Sequence, residues 1–298
     1  MSNSSAFLRR DRVTRVITTD GMFRAVIINA TATAQAAQSK HQLDAFAGYF
    51  LAQGLAAAGA MASFLKGEER ISLQFDGDGA VRSLFAESLQ LGEVRGYIRL
   101  ADDAGGRLDS MTGALGRGTL KVSKILYNRY EPVMGIVAMR PESIARTIAG
   151  YLAESEQIPS AVAIDVESAD DGAVQFAGAL IVQSLPGAAT DDIRNVEQAI
   201  ACMPRLSEFA ARGAQADDIL GAALGRGFEA AATTPVDFFC RCSLDRFKTM
   251  LASLGYGEVN SMRKQGQNEL VCQYCNERYY LSENDFAELL TMLKAREN

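Results

Sequence analysis

The chain has 298 residues, 48% of them hydrophobic, with a formal net charge of −6 and a pI near 5.1. Its length suggests two domains, and its apolar content allows a sizeable core. The acidic balance disfavours nucleic-acid binding through a general electrostatic footprint, because that mode needs basic surface to displace counterions.

The amino terminus, Met1 to Arg12, is polar and basic with no apolar stretch behind it, so no secretory signal is expected. The cysteines are accordingly expected in a reducing cytoplasm, where paired cysteines signify metal or redox chemistry rather than a disulfide framework. From Arg12 to Ala30 the pattern Val16, Ile17, Met22, Phe23, Val26, Ile27, Ile28 predicts strand, broken by an Asp20-Gly21 turn. An alanine-rich stretch, Thr31 to Leu65, follows. Within it Ala45 to Leu65 is a 21-residue run without charge, long enough to raise a membrane span. Its Ala and Gly content and its amphipathic neighbours fit a helix buried in a soluble core, and no membrane partner is expected. His41 is the only histidine and has no second histidine or nucleophile motif beside it, so it reads as a surface or capping residue.

A hairpin is predicted from Ile71–Phe75 and Val81–Phe85 through Asp76-Gly77-Asp78-Gly79, with further strands at Glu93–Leu100 and Leu120–Tyr127. The glycines of Gly113 to Val122 invite a nucleotide-loop reading. No Gly-Lys-Ser/Thr follows, however, and Lys121 comes too late to start a helix behind a phosphate cradle, so tight turns in an antiparallel sheet explain them better. Pro141-Glu142 opens a helix to about Gln157 on an Ile144, Ile148, Leu152 stripe. Ala161–Val166 and Val174–Leu185 form another hairpin across Asp170-Asp171-Gly172. The fold class is α+β: an N-terminal antiparallel-sheet domain with helices over 1–186, a helical linker over 187–239, and a small C-terminal four-cysteine zinc module over 240–298.

The linker holds four basic and eight acidic residues. Thr190-Asp191-Asp192 caps a helix carrying Ile193, Val196 and Ile200; Pro204 starts another with Leu206 and Phe209; Asp217-Asp218 precede Ile219-Leu220. Gly221, Gly225 and Gly227 follow, each costing up to about 1 kcal/mol against alanine in a helix interior. Such a segment is either an ordinary linker or an element near its own unfolding point, held by packing against a neighbour. Cys202 stands alone in it and reads as a buried apolar filler, with an exposed redox thiol as the alternative.

The chemistry-bearing residues are Cys240-Arg241-Cys242 and Cys272-Gln273-Tyr274-Cys275. Two such clusters on a small folded unit can close a tetrahedral four-sulfur shell around one zinc ion. Residues two or three apart can also reach disulfide distance, so each cluster is a potential disulfide. Zinc would hold all four as thiolates, the form that reacts with oxidants. Spacing alone leaves a purely structural ribbon equally open. Around the clusters, Ser243 caps a helix with Leu244, Phe247, Leu251 and Leu254 on one face, ending at Gly255. Glu269–Val271 and Tyr279–Leu281 flank the second pair as a small hairpin, and Ser282 with Asp285 forms a capping box before Phe286, Leu289, Leu290 and Leu293. So small a module usually needs metal to fold.

Val236-Asp237-Phe238-Phe239-Cys240-Arg241-Cys242-Ser243, the helix ending in Leu254-Gly255, and Val271-Cys272-Gln273-Tyr274-Cys275-Asn276 resemble the heat-shock-protein-33 family of bacterial redox-regulated holdase chaperones. The order of domains and the chain size are also similar, and Gly116–Val122 and Tyr130-x-Pro-Val-x-Gly135 add weaker likeness. The resemblance implies that Cys240, Cys242, Cys272 and Cys275 bind zinc when reduced and pair as Cys240 with Cys242 and Cys272 with Cys275 when oxidised. It further implies that oxidation releases zinc, unfolds the module and loosens the linker. The oxidised form is then a homodimer that holds unfolded or oxidatively damaged client proteins without ATP in the cytoplasm. A zinc-ribbon module for nucleic acid or a ribosomal partner is opposed by the acidic charge. A thiol oxidoreductase acting through Cys272 and Cys275 lacks the strand-helix context around C-x-x-C. The chain is therefore expected not to be an enzyme.

Overall fold

The structure, a computed structural model, describes residues 10–102, 114–140 and 142–296. Met1 to Arg9 of the basic terminus, Gly113 of the glycine-rich stretch and Pro141 at the expected helix start lie outside the described residues. The chain forms two compact units, Met1–Phe239 and Cys240–Asn298.

In the first unit the elements run β1 (Arg12–Thr18), β2 (Phe23–Asn29), α1 (Thr31–His41), α2 (Ala45–Ala62), β3 (Arg70–Gly77), β4 (Val81–Leu89), β5 (Glu93–Leu100), β6 (Gly118–Ile125) and β7 (Val133–Ala138). They continue with α3 (Ile144–Glu154), β8 (Ser160–Ser168), β9 (Val174–Ser184), α4 (Thr190–Cys202), α5 (Leu206–Ala211), α6 (Ala216–Leu224), β10 (Phe228–Pro235) and β11 (Asp237–Phe238). One sheet has the order β10-β1-β2-β9-β8, the other β11-β5-β4-β3-β6-β7. Every pairing is antiparallel except β11 on β5.

The uncharged run becomes α2, whose 18 residues are 83% buried between the two sheets. Leu51, Leu55 and Met61 share one core with Val26, Ile28 and Ile181 of the first sheet and Leu73, Leu84 and Leu120 of the second. Small residues are required by this fit: a Cβ on Gly59 would lie 2.6 Å from Ile28 Cδ1, and one on Gly54 3.2 Å from the Leu84 methyls. Asp44 caps the helix by accepting the Ala47 amide at 2.8 Å. Among the described residues α2 is the one helix long and apolar enough to cross a membrane, and its surface is already occupied by strands.

The first sheet is apolar on both faces. Along β2, Val26 and Ile28 face α2, whereas Phe23, Ala25 and Ile27 join Val16, Leu180 and Val182 on the opposite side. There α4, α5 and α6 cover them with Val196, Leu206, Ala210, Ile219, Leu220, Ala223 and Leu224. Each large side chain removed from water in this layer contributes about 1.5–3 kcal/mol. Arg226 ties its end down: one guanidinium nitrogen lies 2.8 Å from Asp20 Oδ2, the other 3.0 Å from Asp192 Oδ1, with the group over the Phe23 ring.

The structure departs from the expectations for residues 187–239 in several ways. The segment is helical only as far as Leu224; Phe228–Pro235 then pairs with β1, and Asp237–Phe238 with β5. Phe-Glu-Ala-Ala-Ala-Thr-Thr-Pro has no apolar alternation, so its strand conformation comes from the edge of β1 rather than from its own pattern. No side chain caps α4; the acidic Asp191 and Asp192 instead lie in its first turn. Cys202 is exposed, because the inward stripe of α4 passes through Ile193, Val196 and Ile200 and leaves Cys202 on the other side. His41 is half-buried in the last turn of α1, edge-on to Phe238 at 6.4 Å between ring centroids.

The second unit contains α7 (Leu244–Leu251), α8 (Tyr256–Lys264), the hairpin β12 (Glu269–Val271) and β13 (Arg278–Tyr280), and α9 (Glu283–Arg296). Its core is Leu251, Val259, Leu281, Phe286, Leu289, Leu290 and Leu293. Leu254, expected on the helix face, is 53% exposed because α7 ends at Leu251 and the chain turns away. The capping box is in place: the Ser282 amide donates to Asp285 at 2.8 Å and the Asp285 amide to Ser282 Oγ at 3.2 Å. Lys248 of α7 reaches the same carboxylate and so joins α7 to α9.

Candidate metal centre

Two local structures bring the four cysteines together. Cys240 and Cys242 lie in the extended chain just before α7, whose first turn is fixed by Ser243 Oγ accepting the Arg246 amide at 3.3 Å. Cys272 and Cys275 occupy the turn of the β12–β13 hairpin. That turn is closed by the Asn276 amide on the Cys272 carbonyl and the Cys272 amide on the Glu277 carbonyl, both at 2.8 Å. Asn276 takes the left-handed conformation, φ 58°, one that asparagine tolerates better than most residues.

All four sulfurs lie within 4.8 Å of one another. Between clusters the sulfurs of Cys240 and Cys272 are 3.7 Å apart and those of Cys242 and Cys275 3.4 Å apart. Zinc–sulfur bonds of about 2.3 Å in a tetrahedron place sulfurs about 3.8 Å apart, so these residues fit that ion in donor type, number and spacing. Cys272 and Cys275 are buried at 5% and 4% exposure, whereas Cys240 and Cys242 are half-buried.

Burial pushes the Cys272 and Cys275 thiols up from their ordinary value. Opposing this are the Tyr274 amide, the Cys275 thiol and the Cys275 amide toward Cys272, and the Glu277 amide toward Cys275. A cluster of four thiolates so placed needs a cation to be stable, and a bound divalent ion reverses the burial effect outright. A tyrosine also faces the cluster. The Tyr279 hydroxyl lies 3.1 Å from the Cys242 carbonyl and 3.3 Å from its sulfur, a contact that sequence reasoning missed because nothing in Arg278-Tyr279-Tyr280 signals which tyrosine turns inward.

Cys202 lies in the first unit and is not among these four. The glycine-rich stretch leads into β6, with Gly116 at φ 64° in the turn beside Asp78 and Gly79.

Comparison with known proteins places this arrangement in a family. The family model described as Hsp33 protein matches residues 11–282. A 33 kDa chaperonin of Desulforamulus reducens is 33% identical over 97% of this chain and the whole of the relative. One of Geobacter sulfurreducens is 34% identical over 99% of this chain and again the whole of the relative. The crystal structure of the 33 kDa chaperonin, an Hsp33 homologue, from Thermotoga maritima superposes with a TM-score of 0.85 at 30% identity, covering 97% of this chain and all of that one. These relatives bear a chaperonin's name and not an enzyme's, in agreement with the expectation from sequence. With the family match spanning nearly the whole chain and the relatives covered end to end, the chain belongs to the Hsp33 family.

Proposed function

We propose that the protein is a redox-regulated, ATP-independent holdase, inactive when reduced and activated by oxidation of its four clustered cysteines. The observation that carries this reading is the meeting of four sulfurs within 4.8 Å in a chain of this family. Cys240, Cys242, Cys272 and Cys275 would hold one zinc ion, which when bound keeps the sulfurs as thiolates and supplies folding energy to a unit with seven buried core side chains.

Peroxide takes two electrons from each pair of thiolates; a sulfur–sulfur bond forms, the oxygen–oxygen bond breaks, and both oxygens leave as water with two protons taken from solvent. The pairs are Cys240 with Cys242 and Cys272 with Cys275. A disulfide offers no thiolate to a metal, so the four residues cease to be a zinc site once both pairs have formed. Residues 240–298 then lose their order. The layer over residues 187–239, a metastable linker in function, loosens with them and uncovers the apolar face of the first sheet at Phe23, Ile27, Leu180 and Val182. That face takes up unfolded or oxidatively damaged proteins in the cytoplasm under oxidative and heat stress, and the oxidised form acts as a homodimer.

The test is light scattering from a heat-denatured client mixed with reduced, zinc-loaded protein or with peroxide-oxidised protein. Suppression by the oxidised form alone is expected. Equal suppression by both forms, or none by either, ends the proposal.

A further inference from the structure

The Tyr279 hydroxyl meets the sulfur cluster at hydrogen-bond distance. Tyr279 belongs to β13, the strand leaving the Cys272–Cys275 turn, yet its hydroxyl reaches the other cluster, 3.1 Å from the Cys242 carbonyl and 3.3 Å from Cys242 Sγ. Its ring is held against Phe247 of α7 with centroids 5.4 Å apart. The hydroxyl is thus placed by packing from one side and by the hairpin from the other. Across the hairpin register, Tyr280 points elsewhere: its hydroxyl lies 3.0 Å from Glu269 and the residue is exposed.

The geometry points to Tyr279 as the positioning residue for Cys242: its O–H, shared between the carbonyl and the sulfur, joins the C-x-C arm to the hairpin that carries C-x-x-C and draws electron density from that one sulfur. A hydrogen bond to a thiolate lowers its donor strength and its nucleophilicity together. The carbonyl contact fixes the backbone of the arm, and the sulfur contact fixes the side-chain rotamer. The inference rests on the zinc reading above and adds to it the group that orients the more exposed pair.

The test compares full-length wild-type protein with Tyr279→Phe and Tyr280→Phe, all loaded with zinc. Tyr279→Phe keeps the ring on Phe247 and loses only the hydroxyl; Tyr280→Phe loses a hydroxyl from the same hairpin that does not face sulfur. Zinc transfer to a chromophoric chelator should quicken about tenfold in Tyr279→Phe, because the C-x-C arm loses its tie to the hairpin and this outweighs the stronger donation from one sulfur; the size is that expected for one hydrogen bond to a charged group. Alkylation by iodoacetamide, mapped by mass spectrometry, should rise at Cys242 and stay unchanged at Cys272. In cobalt-substituted protein the sulfur-to-metal charge-transfer band should move to lower energy in Tyr279→Phe alone, a signature that hairpin destabilisation does not produce. Wild-type behaviour in all three measurements overturns the inference, as do equal changes in both variants. A wild-type protein that retains no zinc contradicts the metal reading instead, so the two failures are distinguishable.

Discussion

Arg205 and Asp165 are joined across the boundary between helix and sheet: the guanidinium meets Asp165 Oδ1 at 2.6 and 3.0 Å. The second oxygen, Oδ2, accepts the Ser207 amide at 2.8 Å in the first turn of α5. Asp165 lies on β8 with its side chain 12% exposed, so one carboxylate caps α5 and fastens it to the edge of the first sheet. Asp165→Ala should cost about 1–3 kcal/mol, because it removes these bonds and leaves the Ser207 amide wanting a partner. Limited proteolysis of the reduced protein should then cut first within residues 187–224. Cleavage at the wild-type rate would mean that α5 is held by its apolar contacts alone.

Leu220 is fully buried between α6 and the first sheet. Leu220→Ala should lower stability by about 2–5 kcal/mol through the cavity it leaves. If the layer covers the client-holding face, this variant should bind a dye specific for apolar surface and suppress client aggregation while still reduced and zinc-loaded. A destabilised variant with no gain of holding activity would separate the layer from function.

Gly92 sits at φ +91° in the turn between β4 and β5, against the connection from β10 to β11, and a Cβ there would lie 1.8 Å from the Pro235 carbonyl oxygen. The Gly92 carbonyl also accepts the Asp237 amide at 3.0 Å. Gly92→Ala should therefore cost about 1–3 kcal/mol from backbone strain, with further loss as the Pro235 strand is pushed off. Hydrogen exchange should show the damage at amides 236–239 first, just before Cys240. Uniform protection across the first unit would refute that local assignment.

Asp20 offers a pH test of the clasp made by Arg226. Its carboxyl is pulled down from 3.8 to about 2, first by the Thr18 hydroxyl, then by the Met22 amide, with Arg226 adding to both. A carboxyl lowered by folding stabilises the folded state above its unfolded value and loses that contribution as pH falls through the folded one. Wild type should thus exceed Asp20→Asn in denaturant midpoint above about pH 4, and the gap should close toward pH 2. A gap that persists at pH 2 would show that the bonds do not depend on the charge.

Metal removal should separate the two units. Stripping zinc with a strong chelator under reducing conditions should abolish protection in α7–α9 while β2, β9 and α2 keep theirs. Cys272→Ser with Cys275→Ser should reproduce that pattern without chelator. Retention of α7–α9 in the metal-free protein would mean that its seven-residue apolar core suffices.

The sequence revealed features whose cause is local. The Asp20-Gly21 and Asp76–Gly79 turns, the Ser243 cap and the Ser282–Asp285 box all appear as read, because each depends on a few adjacent residues. The cysteine cluster was legible for a related reason: two close pairs of thiols carry their own signature of metal or redox chemistry. Features created by a distant partner were not legible. β10 is a strand because β1 has a free edge for it, and β7, Val-Met-Gly-Ile-Val-Ala, is six residues with Met134 and Ile136 facing outward. α8 begins between Gly255 and Gly257 and buries Val259 alone, so it shows no apolar stripe. Cys202 was misplaced because a cysteine's usual burial says nothing about which side of α4 it occupies.

In the proposed mechanism the state of four sulfurs governs whether α4–α6 remain on the first sheet. Hydrogen exchange of residues 190–224, followed in zinc-loaded reduced protein and after full oxidation by peroxide at a heat-stress temperature, tests it most directly. Protection there should collapse together with that of residues 240–296, while β2 and β9 stay protected. Unaltered protection of 190–224 in a protein whose four cysteines are shown to be in disulfides would contradict it.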